Sequence, residues 1–215
     1  TQQSDVIDER VIKLLRASIV SWSTMETGAA MIDSQMPYGS TDMIQDIKRI
    51  TGVASEAEAL ALHRHTEQAL GLFIQEATLE PGTYTYNNPH FGRSDPDADF
   101  ENVKYRLPDL VASDKVTLKV TEQHLKLLYE ASHFLRWEDE YVGDSGYPTV
   151  SFDAVRPYGA MTYFSIDIAL TLGIAFQDNA ELEQMDDYFY RLHWEMQPAL
   201  QIFLKHAKLP SEKAN

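Results

Sequence analysis

The chain has 215 residues, of which 44% are hydrophobic, and it contains no cysteine. This length allows one large buried core or two small ones, and the lack of cysteine excludes disulfides, thiolate metal sites and cysteine nucleophiles. The formal net charge of −15 opposes direct binding of nucleic acid, which depends on clustered lysine and arginine. We therefore expect a protein partner with a basic surface rather than nucleic acid.

No stretch of sequence approaches the roughly 18 to 20 apolar residues needed to span a bilayer. Residues 1–10 are polar and acidic, unlike a secretory signal. We expect a cytoplasmic protein with no membrane segment. The small residue Thr1 at the start fits removal of an initiator methionine, so we also expect a nearly complete chain.

The order of features between residues 9 and 80 recurs between residues 122 and 209. The matched pairs are Trp22 with Trp137, Ile32-Asp33 with Phe152-Asp153, Pro37-Tyr38-Gly39 with Pro157-Tyr158-Gly159, Asp46-Ile47 with Asp167-Ile168, Gly52 with Gly173, His65-x-Glu67 with His193-x-Glu195, and Ala69-Leu70-x-x-Phe73 with Ala199-Leu200-x-x-Phe203. This repetition predicts a mainly α protein in which a three-helix unit is duplicated in tandem. Residues 1–80 form the first repeat, 81–121 a connector and 122–215 the second repeat. We expect the repeats to pack as one pseudo-two-fold helical bundle.

The first helix of each repeat is predicted from apolar residues at helical spacing, and it is expected to end near the tryptophan. A loop that ends in Pro-Tyr-Gly follows, and then a short helix, Thr41 to Thr51 in the first repeat and Ala160 to Leu172 in the second. Gly52 and Gly173 are expected to stop these helices.

A long third helix is predicted from about residue 56 to 79 and from about 181 to 209. Its buried stripe in the first repeat is Leu70, Phe73, Ile74 and Ala77, and Pro198 is expected to kink or split its counterpart. In the connector, residues 83–86, 103–107 and 115–120 alternate between apolar and polar, which indicates a small sheet or an extended segment.

Acids and histidines that recur in both repeats are the candidate catalytic residues. A loop Asp and a helix Asp that converge with a His could act as general acid and base or hold a divalent metal. The alternative is structural, because such acids often bind nearby amides or bases and such histidines often lie satisfied at a core edge. The set is Asp33, Asp46 and His65 with Asp153, Asp167 and His193.

The Pro-Tyr-Gly turn can present a tyrosine hydroxyl to a ligand, or it can pin the loop to the helices. Trp22 and Trp137 lie beside apolar stripes, so they either pack in the core or bind a ligand. Glu138 and Glu140 belong to an acidic run, which is either a solvated face or a surface for a cationic partner. The candidate binding residues are Tyr38, Tyr158, Arg156, Trp22, Trp137, Glu138 and Glu140.

No metal site or cofactor is predicted. Glu130-x-x-His133 has the spacing of half a dimetal site, but the first repeat carries Arg16 and Ile19 at the matching positions. The chain also lacks the phosphate-loop, dinucleotide-binding, zinc-protease and serine-hydrolase motifs.

The segment Asp153-x-x-Arg156-Pro157-Tyr158-Gly159, followed by Asp167-Ile168-x-x-x-Leu172-Gly173, resembles small uncharacterised helical proteins of bacteria and their phages that carry one copy of the unit. The second repeat matches more faithfully, since Met36 replaces the arginine in the first. The resemblance implies a prokaryotic or phage setting and no particular chemistry.

These observations favour a non-enzymatic binding protein whose acidic helical surface engages a protein partner, as an accessory, immunity or anti-defence protein does. One alternative is a hydrolase that uses the repeated Asp and His residues. A second is an inhibitor whose carboxylates mimic the phosphates of DNA. The oligomeric state is left open.

Overall fold

The computed structural model describes residues 7–24, 30–35, 43–87, 114–133, 136–141, 148–152, 172–175 and 178–213. This part of the chain is mostly helical, as predicted, and it includes two antiparallel sheets. The helices are α1 (Glu9–Ala17), α2 (Met43–Thr51), α3 (Glu56–Glu76), α4 (Glu122–Ser132), α5 (Asn179–Gln184), α6 (Asp186–His206) and α7 (Pro210–Lys213). The strands are β1 (Ile19–Thr24), β2 (Ala30–Gln35), β3 (Gly82–Asn87), β4 (Lys115–Val120), β5 (Arg136–Tyr141) and β6 (Pro148–Phe152).

The helix ends follow from local side-chain chemistry. Asp8 caps α1, and its carboxylate accepts the backbone N–H of Val11 at 3.0 Å. Ser55 caps α3, where its hydroxyl oxygen accepts the N–H of Glu58 at 3.1 Å. The N–H of Gly52, at φ +79°, bonds to the carbonyl of Lys48 at 2.8 Å and ends α2 as predicted.

Strands β3 and β4 form a hairpin-like pair within the predicted connector, from Gly82 opposite Val120 to Asn87 opposite Lys115. Tyr86 and Val120 point into the core, while Thr85 and Thr117 lie on the exposed face. Their hydroxyls bond to each other at 2.6 Å. The small sheet predicted from period-two alternation is therefore present.

The second sheet corrects the helical prediction. It has four antiparallel strands in the order β1-β2-β6-β5. The first helix was expected to continue to Trp22, but α1 ends at Ala17 and Trp22 lies in β1. In the same way α4 ends at Ser132 and Trp137 lies in β5, and β2 and β6 occupy segments predicted as loops.

The physical reason is visible in β1. The backbone of Ser18 is extended, with ψ at 142°, and its hydroxyl donates a hydrogen bond to the carbonyl of Leu14 at 3.0 Å. Ile19 and Val20 then begin a segment that also contains Trp22 and Thr24, and β-branched and aromatic residues are typical of strands. Such a segment forms a strand only with a partner strand. The helical spacing of Trp22 with the preceding apolar residues favoured a helix instead, so strand β1 was not predicted.

One buried core contains side chains from both ends of the chain, among them Leu14, Leu70, Leu128 and Leu200. Helix α3 packs on α1, α2 and α4, and α6 packs on α1, α4 and strands β1, β3 and β4. The predicted last helix is two helices, α5 and α6, and α6 continues through Pro198 without being split. None of the helices in the described ranges is long and apolar enough to cross a membrane.

Several further contacts join the first half of the chain to the second. Ile32 of β2 lies opposite Phe152 of β6. The rings of Phe73 and Phe203 pack edge to face with centroids 5.9 Å apart. Beyond them, the backbones of Thr78 and Lys208 exchange two hydrogen bonds of 2.9 Å.

Candidate functional site

The predicted site residues are distributed over several elements. Asp33, Trp22, Trp137, Glu138 and Glu140 lie in strands of the four-stranded sheet, Asp46 in α2, His65 in α3 and His193 in α6. Tyr38, Asp153, Arg156, Tyr158 and Asp167 lie outside the described residues. The described side chains contain no group of three His, Asp or Glu residues placed to hold a metal ion.

Asp46 is a buried carboxylate, with only 6% of its surface exposed. Its Oδ1 accepts a hydrogen bond from the exposed guanidinium of Arg49 at 3.1 Å, whereas no group among the described residues forms a hydrogen bond with its Oδ2. A buried carboxylate without full pairing is costly, and the bond from Arg49 offsets only part of this cost. Its burial also keeps it from direct contact with a substrate in solution.

Glu67 is paired with a histidine that the sequence reasoning missed. The partner is His63, whose Nε2 faces the Glu67 carboxylate, and both side chains are buried. Residues four apart on a helix lie on one face, so the spacing of His63 and Glu67 was the available signal. Within the described part of the chain, the Nδ1 of His63 has no hydrogen-bond partner.

Glu195, which is matched with Glu67 in the predicted repeat, also has a buried histidine partner. His124 of α4 places its Nε2 at 2.7 Å from the Glu195 carboxylate. The backbone N–H of Thr121 donates to Nδ1 of the same ring at 3.0 Å. Since Nδ1 accepts, the proton lies on Nε2 and is donated to Glu195.

This arrangement fixes α4 against α6 and completes the N-terminal cap of α4. Both ring nitrogens of His124 are engaged, and the ring is 2% exposed. The imidazole therefore has no free nitrogen with which to take a proton from a substrate. We interpret the His124–Glu195 pair as a structural contact.

The C-terminal end of α6 is capped by Arg16, which comes from the N-terminal helix α1. Arg16 donates to the carbonyls of Leu204 and Ala207 at 2.8 and 2.9 Å and to the Glu212 carboxylate at 2.8 Å. Glu212 also accepts the N–H of Leu209 at 2.7 Å. These bonds satisfy carbonyls that a helix end leaves without partners.

The charge environment of Glu212 reflects these contacts. Partial burial acts to raise the pKa of the Glu212 carboxyl, but the Leu209 N–H and the Arg16 guanidinium outweigh it and hold the pKa below its ordinary value. The ionised carboxylate is therefore the form that the fold stabilises.

A cleft of about 350 Å³ lies near the Arg16 contacts, between β3, β4 and the last residues of α6. It is lined by Thr85, Tyr86, Asn87, Lys115, Lys205 and His206. No sequence motif identified it, because its residues come from three separate elements.

Comparison of the chain with protein-family models, with curated proteins and with solved structures finds no match.

Proposed function

We propose that the chain is a tandem duplication whose halves are related by a pseudo-two-fold axis. A residue on a two-fold axis contacts the equivalent residue of the other half, and three such contacts support the proposal. Ile32 pairs with Phe152, Phe73 packs on Phe203 and Thr78 bonds to Lys208. The first two pairs are matched in the sequence repeat. The third pair fits the same match, because Thr78 follows Phe73 at the same distance along the chain as Lys208 follows Phe203.

The packing of helices supports the same arrangement. Helix α1 lies against α3 in the first half as α4 lies against α6 in the second, and the crossed contacts, α1 with α6 and α3 with α4, also correspond. Gly52 and Gly173 each have positive φ, at +79° and +69°.

We further propose that the protein is a non-enzymatic binding protein whose acidic surface engages a basic surface of a protein partner. The net charge of −15 is the observation that carries this proposal. Acidic groups that recur in the repeat, such as Glu67 and Glu195, are used inside the fold. The excess negative charge therefore belongs to other carboxylates, including the exposed Glu56, Glu58 and Glu76 of α3.

The described geometry favours binding over hydrolysis. Asp46 is buried and paired with Arg49, and the buried histidines His63 and His124 each face a glutamate within the fold. A general acid or base must reach the proton that it transfers. The buried pairs serve the packing of helices instead.

The test is capture of partners from a prokaryotic host lysate, with the full chain as bait at about 50 and 500 mM salt, the range over which charge screening becomes strong. We expect a specific protein with a basic surface to be captured at low salt and lost at high salt. Purified, that protein should bind directly to the chain. Capture that is insensitive to salt, or no specific capture, would contradict the proposal.

Two triple variants distinguish the effect of lost charge on capture from the effect of altered surface side chains. The triple variant Glu56→Gln, Glu58→Gln and Glu76→Gln lowers the net negative charge on the exposed face of α3, and we expect it to weaken capture. The control triple variant Ala57→Gln, Ala61→Gln and Gln68→Ala changes exposed residues of the same helix and keeps the charge. Equal capture by both would argue against an electrostatic contribution from α3.

A further inference from the structure

The long helices α3 and α6 end in the same way, but their last turns differ in charge. In each helix the N–H of the closing alanine donates to the carbonyl of a phenylalanine, Ala77 to Phe73 at 2.8 Å and Ala207 to Phe203 at 2.9 Å. The last turn of α6 contains a lysine and a histidine, whereas the last turn of α3 contains no basic residue. The C-terminal end of a helix favours a nearby cation, and only α6 provides one within its own last turn.

The C-terminal end of α6 also binds a guanidinium from another helix. Arg16 donates to the carbonyls of Leu204 and Ala207 and to the Glu212 carboxylate. The central carbon of its guanidinium lies 5.8 Å from the centroid of the Phe73 ring. A planar guanidinium suits this position because its five N–H donors can reach several oxygen acceptors at once. The α6 end therefore shows which chemical group such a helix end binds.

The C-terminal end of α3 has the same carbonyls without such a donor. Counted back from the closing alanines, the carbonyls of Ile74 and Ala77 correspond to those of Leu204 and Ala207. Among the described residues, no side chain donates a hydrogen bond to the carbonyl of Ile74 or Ala77. Since the last carbonyls of a helix have no partner inside the helix, these two can accept hydrogen bonds from an external group.

Two carboxylates add negative charge at the same end. Glu76 in the last turn of α3 and Glu80 four residues later are both exposed. Neither carboxylate forms an ion pair with a described side chain. The Tyr84 hydroxyl donates to the backbone carbonyl of Glu80 at 2.6 Å, a bond that does not use the carboxylate. The end of α3 thus combines carbonyl oxygens with carboxylates, as the Arg16 site does at α6.

The position beside α3 that corresponds to Arg16 is exposed. Arg16 follows two buried leucines of α1, and Tyr129 follows two buried leucines of α4 in the same way. By this pattern of burial Tyr129, rather than Glu130, corresponds to Arg16. Tyr129 is 46% exposed and its ring contacts that of His133, which lies 3.4 Å from the Gln75 amide in the last turn of α3. This end of α3 is therefore bordered by an exposed aromatic ring instead of a guanidinium.

We propose that the C-terminal end of α3 binds the guanidinium of an arginine on the basic protein partner. This inference rests on the proposed binding function and names a point of contact within the acidic surface. The arginine donates to the carbonyls of Ile74 and Ala77. It also pairs with the carboxylates of Glu76 and Glu80, in the way that Arg16 is bound at α6. A lysine fits this site less well, because its ammonium lacks the planar fork of donors.

The probes are two fluorescently labelled peptides of equal charge, nona-arginine and nona-lysine. Each is titrated with the full chain at constant ionic strength, and binding is followed by fluorescence anisotropy. We expect nona-arginine to bind about tenfold more tightly than nona-lysine, because only a guanidinium forms several directed bonds at this site. Equal affinity for the two peptides, or no binding of nona-arginine, would overturn the inference.

Two double variants locate the contact along α3. Glu76→Gln with Glu80→Gln should reduce the preference for nona-arginine over nona-lysine to about twofold or less. Glu56→Gln with Glu58→Gln removes the same charge at the opposite end of α3. It should weaken both peptides equally and leave the preference at about tenfold. Loss of the preference in both double variants, or in neither, would contradict a site at the C-terminal end of α3.

A guanidinium supplied by the chain itself gives an independent test. Tyr129→Arg should fill the site and weaken nona-arginine binding about tenfold. Gln123→Arg adds the same charge at another exposed position of α4 and should weaken binding about twofold or less, because exposed charges interact weakly through water. Equal weakening in the two variants would mean that only the added charge matters, which would overturn the site. Both positions are exposed, and thermal melting checks that each variant is folded.

Failure of this inference can be distinguished from failure of the proposed function. Peptides that bind equally well, together with partner capture that is lost at high salt, would overturn the arginine site and leave the acidic-surface function in place. A preference for nona-arginine that is lost in the Glu76 and Glu80 variant, together with capture that does not depend on salt, would support the arginine site and contradict the acidic-surface function.

Discussion

Glu67 and Glu195 occupy matched positions in the proposed repeats, yet their histidine partners come from different places. His63 precedes Glu67 by one helical turn, and its proximity could be predicted from the sequence. His124 lies on another helix from Glu195, so no local pattern could predict that contact. The recurrence of His65 and His193 made them the candidates, but recurrence carries no information on the contacts that His63 and His124 make.

Removal of His124 should destabilise the fold. In His124→Ala, the Glu195 carboxylate and the N–H of Thr121 each lose a hydrogen-bond partner, and we expect a loss of about 1–3 kcal/mol. Urea unfolding followed by circular dichroism measures this change. The control His133→Ala removes an exposed histidine at the end of α4 and should cost under about 0.5 kcal/mol. Similar losses in both variants would contradict the interpretation of the His124–Glu195 pair.

Glu212 should make stability depend on pH. Its folded-state pKa is below the ordinary value of 4.5, so the folded state binds fewer protons than the unfolded state in the acid range. The stabilisation is present above about pH 4.5 and is lost as pH falls through the folded value. Glu212→Gln should therefore be less stable than the parent chain at pH 7, and the difference should shrink as pH falls toward 3.

Urea unfolding at pH 3, 4, 5 and 7 measures this convergence. Glu76→Gln, at an exposed position of α3, should follow the pH dependence of the parent chain. A difference between Glu212→Gln and the parent that stays constant with pH would show that the Arg16 and Leu209 contacts do not act through the charge of Glu212.

Among the secondary-structure elements, those with strong local signals were predicted well. The α3 prediction began at residue 56 and extended three residues beyond its observed end at Glu76, and the stripe of Leu70, Phe73, Ile74 and Ala77 is buried. The predicted segments 83–86 and 115–120 of the connector lie in strands and the stop at Gly52 was also correct, whereas segment 103–107 lies outside the described residues. These features depend on capping, periodicity and glycine, which act over a few residues.

The four-stranded sheet could not be predicted in the same way. Its pairing of β2 with β6 joins segments that are more than half the chain apart, and a strand is stable only once its partner is present. In α1, the apolar spacing continued into β1 and favoured a helix through Trp22. The Ser18 hydroxyl and the β-branched Ile19 and Val20 were the local signals that opposed this reading.

The helix stop at Gly52 provides a further test. Its φ of +79° is unfavourable for a residue with a Cβ, although no atom lies within 4 Å of where that Cβ would be. Gly52→Ala should therefore cost about 1 kcal/mol through the backbone alone. Gly82→Ala, where φ is not positive and the nearest atom is 3.8 Å away, should cost less. Thermal melting compares the two, and equal losses would contradict the role of positive φ.

The arrangement of the two halves can be tested by a cross-link, because the chain has no cysteine of its own. Thr78 and Lys208 are exposed and lie directly opposite each other, a geometry that brings their Cβ atoms near disulfide range. The double variant Thr78→Cys with Lys208→Cys should form an intramolecular disulfide under mild oxidation. Thiol titration and mobility on a non-reducing gel measure its formation.

The control for the cross-link is Glu58→Cys with Lys208→Cys. Glu58 lies at the opposite end of α3 from Thr78, about 30 Å away along the helix, so no intramolecular disulfide should form. Cross-linking in the control, or none in the Thr78 and Lys208 pair, would contradict the proposed meeting of the two halves.

The central claim is that the net charge of −15 drives encounter with a basic protein partner. Complementary charge mainly accelerates association and has less effect on dissociation. The most direct measurement is therefore the association rate constant of the chain with its captured partner, determined by stopped-flow between about 50 and 500 mM salt. We predict that the association rate constant falls about tenfold or more while the dissociation rate constant changes much less. An association rate constant that does not change with salt would contradict the claim.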